Sequence, residues 1–281
     1  MELRILKPVG RLAPTPSGQL HLGNAVAFAA CWLSARQSGG RVLLRIEDVD
    51  RGRARDAVAA AQREDLLWMG CTWDIETPRQ GLRDYAPWLA RLSDRTYWCT
   101  CSRKQLKRTG GQCDCPGLER DEGSVRFRLE PAPVTFEDRR FGVVRTEPGA
   151  FPDPVLRRAD GNYTYNLAVV ADDIADGVTE VVRGSDLLDY TAVQIQLWRA
   201  FGATPPSWLH TPMILGADGR KLSKSHGSID IRALRKQGWS PEQLWLTVLP
   251  WLGLDEIDNL TDAIEPFDPT GGGANEISYS P

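Results

Sequence analysis

Val9-Gly10-Arg11-Leu12-Ala13 is a short run stopped by Pro14 and Pro16; an alanine-rich stretch runs from Asn24 to Gln37, and Arg41-Val42-Leu43-Leu44-Arg45-Ile46 follows it. The outer pieces predict strands. The middle piece predicts a helix closed by Gly39-Gly40, because glycine ends a helix without steric cost. Glu47-Asp48 sits at the carboxyl end of the second strand, and a second helix is predicted from Arg55 to Met69, ended by Gly70. Strand, helix, strand in this rhythm implies a right-handed crossover and an α/β fold with a doubly wound parallel sheet. Such sheets bind ligands beyond the carboxyl ends of their strands, where His21 and Glu47 both fall.

Two short motifs point to chemistry at that edge. His21-Leu22-Gly23-Asn24 opens the first helix, and Lys221-Leu222-Ser223-Lys224-Ser225 lies far downstream. Either alone is a common turn. Together they suit a polyphosphate: the glycine lets backbone approach a phosphate at a helix N-terminus, where free N–H groups and the dipole favour anions. The lysines add mobile positive charge. The pair reads as an ATP site that makes an adenylate and releases pyrophosphate.

Residues 95–160 break the strand–helix pattern, with four cysteines, several prolines and strand-like pieces such as Val125-Arg126-Phe127-Arg128-Leu129. They predict an inserted small domain. The parallel pattern resumes with Asn162–Val170 and Thr179–Arg183, then a helix from Asp189 to Phe201. Ser240-Pro241-Glu242-Gln243 is a capping box with proline at the first helical position, starting a helix through Leu252. From Ile264 the chain is rich in proline and glycine, which predicts a disordered tail. The expected divisions are therefore 1–94 and 161–225 as two halves of one catalytic domain, the insert at 95–160, a helical segment at 226–263, and the tail at 264–281.

Cys99-x-Cys101 and Cys113-x-Cys115 can place four thiolates around one tetrahedral Zn²⁺. Four protein ligands leave no open coordination position, so the metal is expected to be structural. Two disulfides are the competing use. The N-terminus, Met1 to Lys7, lacks the apolar core of an export signal, which favours the cytoplasm and reduced thiols. Cys31 and Cys71 stand alone in apolar contexts and are expected to be packing residues.

A hydrophobic content of 42% and a charged content of 25% are those of an ordinary soluble globular enzyme, and no apolar run is long enough to span a membrane. The formal net charge of −3 argues against indiscriminate nucleic-acid binding but leaves a specific RNA partner open. Arg103, Lys104, Lys107 and Arg108 form a local basic cluster between the cysteine pairs.

Several spaced segments now combine. Arg11-Leu12-Ala13-Pro14-Thr15-Pro16-Ser17-Gly18, His21-Leu22-Gly23-Asn24 and Arg45-Ile46-Glu47-Asp48-Val49-Asp50-Arg51 resemble the opening of glutamyl-tRNA synthetases. Tyr165-Asn166-Leu167-Ala168, Asp172-Asp173, Val181-Val182-Arg183-Gly184 and the Lys221–Ser225 loop resemble their second half. The resemblance implies the Rossmann-like catalytic domain of class I aminoacyl-tRNA synthetases. Residues 226–281 are too few for a large helical anticodon-binding region, so none is expected. A short form with a cysteine cluster is similar to the glutamyl-queuosine tRNA(Asp) synthetase family.

That resemblance implies activation of L-glutamate with ATP and Mg²⁺, without any tRNA, and its transfer to queuosine in the anticodon stem-loop of tRNA(Asp). A monomer is expected. Arg11, Ala13, Thr15, Glu47, Tyr165 and Arg183 would form the glutamate pocket. Pro14, His21, Gly23, Asn24, Lys221, Ser223 and Lys224 would hold ATP, with His21, Lys221 and Lys224 stabilising charge during catalysis. Arginine forks suit two carboxylates, and Glu47 suits an ammonium, although Glu47 could instead pair with Arg45 or Arg51. The chain departs from the pattern at two places: Cys113 stands where the family has a tyrosine, and Val169 where full-length glutamyl enzymes have an asparagine. The alternatives are charging of a tRNA 3′ end, an adenylate-forming ligase for a small molecule, and a silent RNA-binding paralogue.

Overall fold

In the computed structural model, β1 (Val9–Leu12) and β2 (Arg41–Leu44) pair in parallel, joined by α1 (Leu22–Gln37). The structure describes residues 7–111, 113–147, 149–216, 219, 230–271 and 274–279. Most of α1 is buried, from Leu22 through Ala35, and this explains its composition. Alanines at 25, 29, 30 and 35 let strands approach the helix closely. Gly10 serves the same approach, since a Cβ there would lie 3.0 Å from the Cys31 sulfur. Cys31 and Cys71 are packing residues as expected; burial pushes the Cys31 thiol up to about 12 and the Cys71 thiol higher still.

α2 (Asp56–Trp68) leads to β3 (Ile75–Glu76), which extends the first sheet in parallel beside β2. α3 (Ala86–Ala90) is followed by the stretch expected as an insert, which the structure divides. β4 (Thr96–Cys99), with α4 (Arg103–Arg108) after it, pairs antiparallel with β5 (Ser124–Phe127). The hairpin of β6 (Val134–Asp138) and β7 (Gly142–Thr146) lies elsewhere, and β8 (Val155–Arg157) then returns to pair with β5.

The segment Asn162–Val170, expected as a strand, is instead the start of a helix, α5 (Tyr165–Ala175). Leu167 through Ala171 are all buried, so the run reads as continuously apolar, a pattern shared by central strands and enclosed helices. What decides for the helix lies beyond it: Asp172 and Asp173 are buried too, against arginines of other elements.

β9 (Glu180–Gly184), α6 (Thr191–Ala200) and β10 (Ser207–Thr211) follow, with β9 and β10 parallel. The second sheet has the order β7-β6-β10-β9, so the hairpin from the insert stretch belongs to it. It meets the first sheet at β1, where Thr179 N–H donates to Val9 O and Thr179 Oγ1 accepts from Val9 N–H. The first sheet is parallel throughout, and the second is mixed, antiparallel only at the hairpin.

β11 (Met213–Leu215), α7 (Ile231–Lys236) and α8 (Pro241–Val248) complete the body. The expected capping box is present, with Ser240 accepting from Gln243 N–H and the Gln243 side chain accepting from Ser240 N–H. The expected disordered tail is a correction. Phe267 is buried in the main core, and β12 (Glu276–Ser278) pairs in parallel with β11. Gln37 Nε2 donates to the carbonyls of Ile264, Glu265 and Phe267. Proline and glycine here mark turns of a strap whose few apolar side chains find pockets.

Arg45 joins the two halves of the body. It is wholly buried, and its guanidinium meets Asp173 at 2.6 Å, Glu47 at 3.1 Å and Asp176 at 3.2 Å. Arg45→Met should cost about 3–5 kcal/mol, because it strands buried carboxylates without their cation. The melting temperature should fall by about 10 °C. Stranded carboxylates bind protons more readily in the folded than in the unfolded chain, so the deficit should shrink as pH is lowered. A thermal-unfolding series across pH checks this; a deficit that grows toward acid contradicts it.

Candidate active site and metal centre

The carboxyl ends of β1, β9 and β10 and the N-terminus of α1 surround a cleft of about 370 Å³. Arg11, Ala13, Pro14, Thr15, His21, Gly23, Asn24, Glu47, Tyr165 and Arg183 all line it. Every sequence-predicted glutamate residue is therefore brought together, with the described part of the ATP set beside it. Lys221, Ser223 and Lys224 lie outside the described residues.

His21 precedes α1 in extended conformation, and its backbone N–H donates to Asn24 Oδ1 at 3.0 Å. A Cβ on Gly23 would lie 3.0 Å from Cε1 and 3.1 Å from Nδ1 of His21. The glycine thus lets the imidazole fold over the first turn. Gly23 and Asn24 of the same turn line the cleft, where the positive end of a helix favours anions.

The three charged groups of the cleft are held in different ways. Arg11 donates from Nε to Asp173 Oδ1 and from Nη1 to Val182 O, both at 3.2 Å. Glu47 accepts from Arg45 through Oε1, as one alternative anticipated, but the pair is buried. No donor among the described residues engages its other oxygen. Burial pushes the Glu47 carboxyl above its ordinary range, against the pull of Arg45 and Arg11.

Arg183 contacts neutral acceptors. Its Nη1 donates to Gln194 Oε1 at 2.6 Å, Nη2 to Thr191 Oγ1 at 2.8 Å and Leu187 O at 3.3 Å, and Nε to His210 Nε2 at 3.1 Å. Among the described residues no carboxylate lies within ion-pair distance of it; the Asp173 charge acts on it only from farther away. Trp208 lies over the guanidinium, 5.1 Å from ring centroid to carbon. Burial lowers the Arg183 pKa, but a guanidinium remains protonated.

Sequence reasoning missed the residues that hold these groups: Asp138, Gln194, Thr191 and His210. None sits in a motif, and Asp138 reaches the site only because its hairpin joins the second sheet. Val169 lies on α5, buried in the core, and does not line the cleft.

Away from the cleft, Cys99, Cys101, Cys113 and Cys115 bring their sulfurs within 4.8 Å of one another, without disulfides. Cys99 and Cys113 are 3.8 Å apart, and Cys101 and Cys115 are 3.7 Å apart. Four sulfurs about 2.3 Å from a tetrahedral centre are separated by about 3.8 Å, so the geometry fits a metal ion. β4 delivers Cys99, and Ser102 caps α4 just after Cys101. Gly123 closes the turn from the other side: its φ is +105°, and a Cβ there would meet Cys99 O at 2.6 Å. The substitution of cysteine for tyrosine at Cys113 thus completes a thiolate set.

A helix start beside an arginine-bearing cleft at a parallel sheet edge is the arrangement of a class I aminoacyl-tRNA synthetase catalytic domain, and the family match assigns the chain to that class. The family described as tRNA synthetases class I (E and Q), catalytic domain, matches residues 8–121 and 116–266. The chain belongs to this family and is an aminoacyl-tRNA ligase. A relative from Nitratidesulfovibrio vulgaris, called Glutamyl-Q tRNA(Asp) synthetase, is 41% identical over 82% of this chain and 81% of its own. A Glutamate--tRNA ligase 2 from Halorhodospira halophila is 38% identical over 96% of this chain and 62% of its own. The fold is that of a glutamate tRNA ligase from Elizabethkingia meningosepticum, with a TM-score of 0.82 over 98% of this chain and 67% of the other, at 24% identity.

Protein purified without chelator should carry about one thiophilic divalent ion per chain. The paired change Cys99→Ser and Cys101→Ser should abolish it. Loading with Co²⁺ should give the visible absorption of a tetrahedral thiolate site; Co²⁺ uptake without thiolate bands would place the metal elsewhere.

Proposed function

We propose that the chain activates L-glutamate with magnesium-bound ATP to glutamyl-adenylate, and transfers the glutamyl group to queuosine in the anticodon stem-loop of tRNA(Asp). The observation that carries the reading is the charge pattern of the cleft. An un-neutralised Arg183, a second arginine and a half-engaged Glu47 complement an amino acid with two carboxylates and one ammonium. Relatives that match over most of both chains and are called glutamyl-Q tRNA(Asp) synthetase support the choice of acceptor.

The reaction divides into two displacements. A glutamate α-carboxylate oxygen attacks the α-phosphorus of ATP, and pyrophosphate leaves. His21, the backbone near Gly23, and Lys221 and Lys224 stabilise charge developing on the phosphates, with Pro14, Asn24 and Ser223 shaping the nucleotide site. This is electrostatic catalysis more than proton transfer. A hydroxyl of the cyclopentenediol ring of queuosine then attacks the activated carbonyl, and AMP leaves. The four cysteines hold a structural Zn²⁺ that takes no part in either step, since thiolates fill its coordination.

The second reading, charging of a tRNA 3′ end, is supported by the similarity to glutamate–tRNA ligases. Labelled glutamate offered to total tRNA, with periodate treatment before or after charging and identification of the acceptor nucleoside, separates the two. Attachment to a 3′-terminal ribose would replace the queuosine reading.

Glutamate-dependent ATP–pyrophosphate exchange should occur without tRNA; exchange that needs tRNA contradicts the proposal. The glutamate KM should depend on pH through Glu47. Its carboxyl is raised by burial in the free protein and lowered again once an ammonium binds. Affinity should therefore improve as pH rises through the free-protein pKa and level off above it. A glutamate KM that worsens over the same rise removes Glu47 from the ammonium site. Lys224→Ala should slow activation roughly 10²-fold, as for loss of one charge-stabilising group.

A further inference from the structure

We propose that His210 is a positioning residue for Arg183, held by Asp138 in the tautomer that carries its proton on Nδ1. The inference rests on the reading of Arg183 as the group that receives a glutamate carboxylate, and it says what keeps that group both oriented and charged.

Arg183 Nε and Thr191 Oγ1 both face His210 Nε2, at 3.1 and 3.3 Å, and the shorter contact decides the assignment. Arg183 Nε carries only a donor, and it faces His210 Nε2 at 3.1 Å, so Nε2 must accept. A neutral imidazole has one donor and one acceptor nitrogen, so the proton lies on Nδ1. There it meets Asp138 Oδ2 at 2.6 Å. Both side chains are fully buried, and the hydroxyl of Thr191, the other group at Nε2, can donate to it or to Leu187 O. An imidazolium would set N–H against N–H and one cation against another; burial lowers the His210 pKa in keeping with this.

Asp138 is itself fixed as an acceptor. The backbone N–H groups of Arg140 and Phe141 donate to its Oδ1, each at 3.0 Å, and His210 N–H donates to Oδ2 at 3.1 Å. Burial alone would raise its pKa, but the bonds from His210 and the backbone outweigh that and hold the carboxyl below its ordinary range.

The imidazole has a purpose that a carboxylate in its place could not serve. It transmits orientation from Asp138 while keeping the negative charge one ring away. Gln194, Thr191 and the Leu187 carbonyl complete a neutral cradle around the same guanidinium. Arg183 is thus anchored without being neutralised. Arg11, paired with Asp173, is anchored at the cost of part of its charge. The carboxylate reader of the cleft is accordingly Arg183, and its direction is set from β6 through β10.

Asp138→Asn tests this with little change of shape. The amide oxygen can keep the bonds from Arg140 and Phe141, while its NH₂ gives up the bond from the His210 backbone N–H, faces His210 Nδ1 and drives the proton to Nε2, against Arg183. The chain has 3 histidines, so nitrogen-15 NMR of the full protein resolves the tautomer of each. The parent should show neutral His210 protonated at Nδ1. The variant should show Nε2 protonation and a shifted Arg183 Nε–H signal. In glutamate-dependent exchange, the variant should raise the glutamate KM about tenfold or more, the size of one lost hydrogen bond to a charged group, and leave the ATP KM within about twofold. Adding His210→Gln, whose amide oxygen can accept from Arg183 whatever faces it from behind, should restore much of the glutamate KM. A parent tautomer protonated at Nε2, or equal effects on the two KM values with no rescue, overturns the proposal. Absence of glutamate-dependent exchange in the parent would instead overturn the reading of the cleft, because the NMR measurement needs no substrate.

Discussion

Arg45 lies wholly out of water at the end of β2, and its guanidinium meets carboxylates of Glu47 from its own segment and of Asp173 and Asp176 from α5 and its end. An isolated buried guanidinium would be untenable, so β2 and α5 can pack only in the register that brings these groups together. This contact joins segments about 130 residues apart, residues 45 and 173–176, and it places β1, β2 and α5 around one cleft. Arg83 extends the cluster to Asp172 and Asp176, and Tyr85 and Gln80 donate to Asp172. Removing any one charge leaves others unpaired, which makes the cluster a determinant of geometry more than a source of net stability.

Its consequence at the cleft is a division of roles among like residues. Asp173 is shared by Arg45 and Arg11, so Arg11 approaches the cleft partly neutralised. Glu47 is tied at one oxygen and open at the other. Arg183, supported from the second sheet, has only neutral acceptors. Three arginines within one buried region therefore differ in how much charge each offers a ligand, and the difference comes from their partners.

The part of this that the sequence discloses is local. Proline, glycine and short apolar runs define β1, α1 and β2, since these segments carry their own punctuation. The site residues of the motifs are legible because each sits at the end of an element whose direction can be read. Three features are not legible. α5 looks like a buried strand because enclosed helices and central strands have the same continuous apolar run. The segment after Ile264 looks disordered because its anchoring is done by few residues, Phe267 and β12 among them, against partners far away in sequence. Asp138 looks like part of an insert, and its place beside His210 depends on a strand pairing made at one position, Trp208 opposite Asp138.

The chemistry of selection follows from the way Arg183 is held. On the proposed reading, glutamine would set an NH₂ group against guanidinium donors already fixed by His210, Gln194 and Thr191, and they cannot turn to accept it. A buried cation would then lack an anion, a mismatch costing several kcal/mol. Aspartate differs otherwise: it carries the right charge but falls short by one methylene, which a pocket discriminates by only about 1–3 kcal/mol if the groups can follow the ligand. The neutral cradle matters most against this second competitor. A guanidinium held at Nε, Nη1 and Nη2 cannot advance toward a shorter side chain without breaking bonds to its supports, so rigidity converts a difference in length into unsatisfied charge. Charge excludes glutamine, and the fixed position of that charge excludes aspartate.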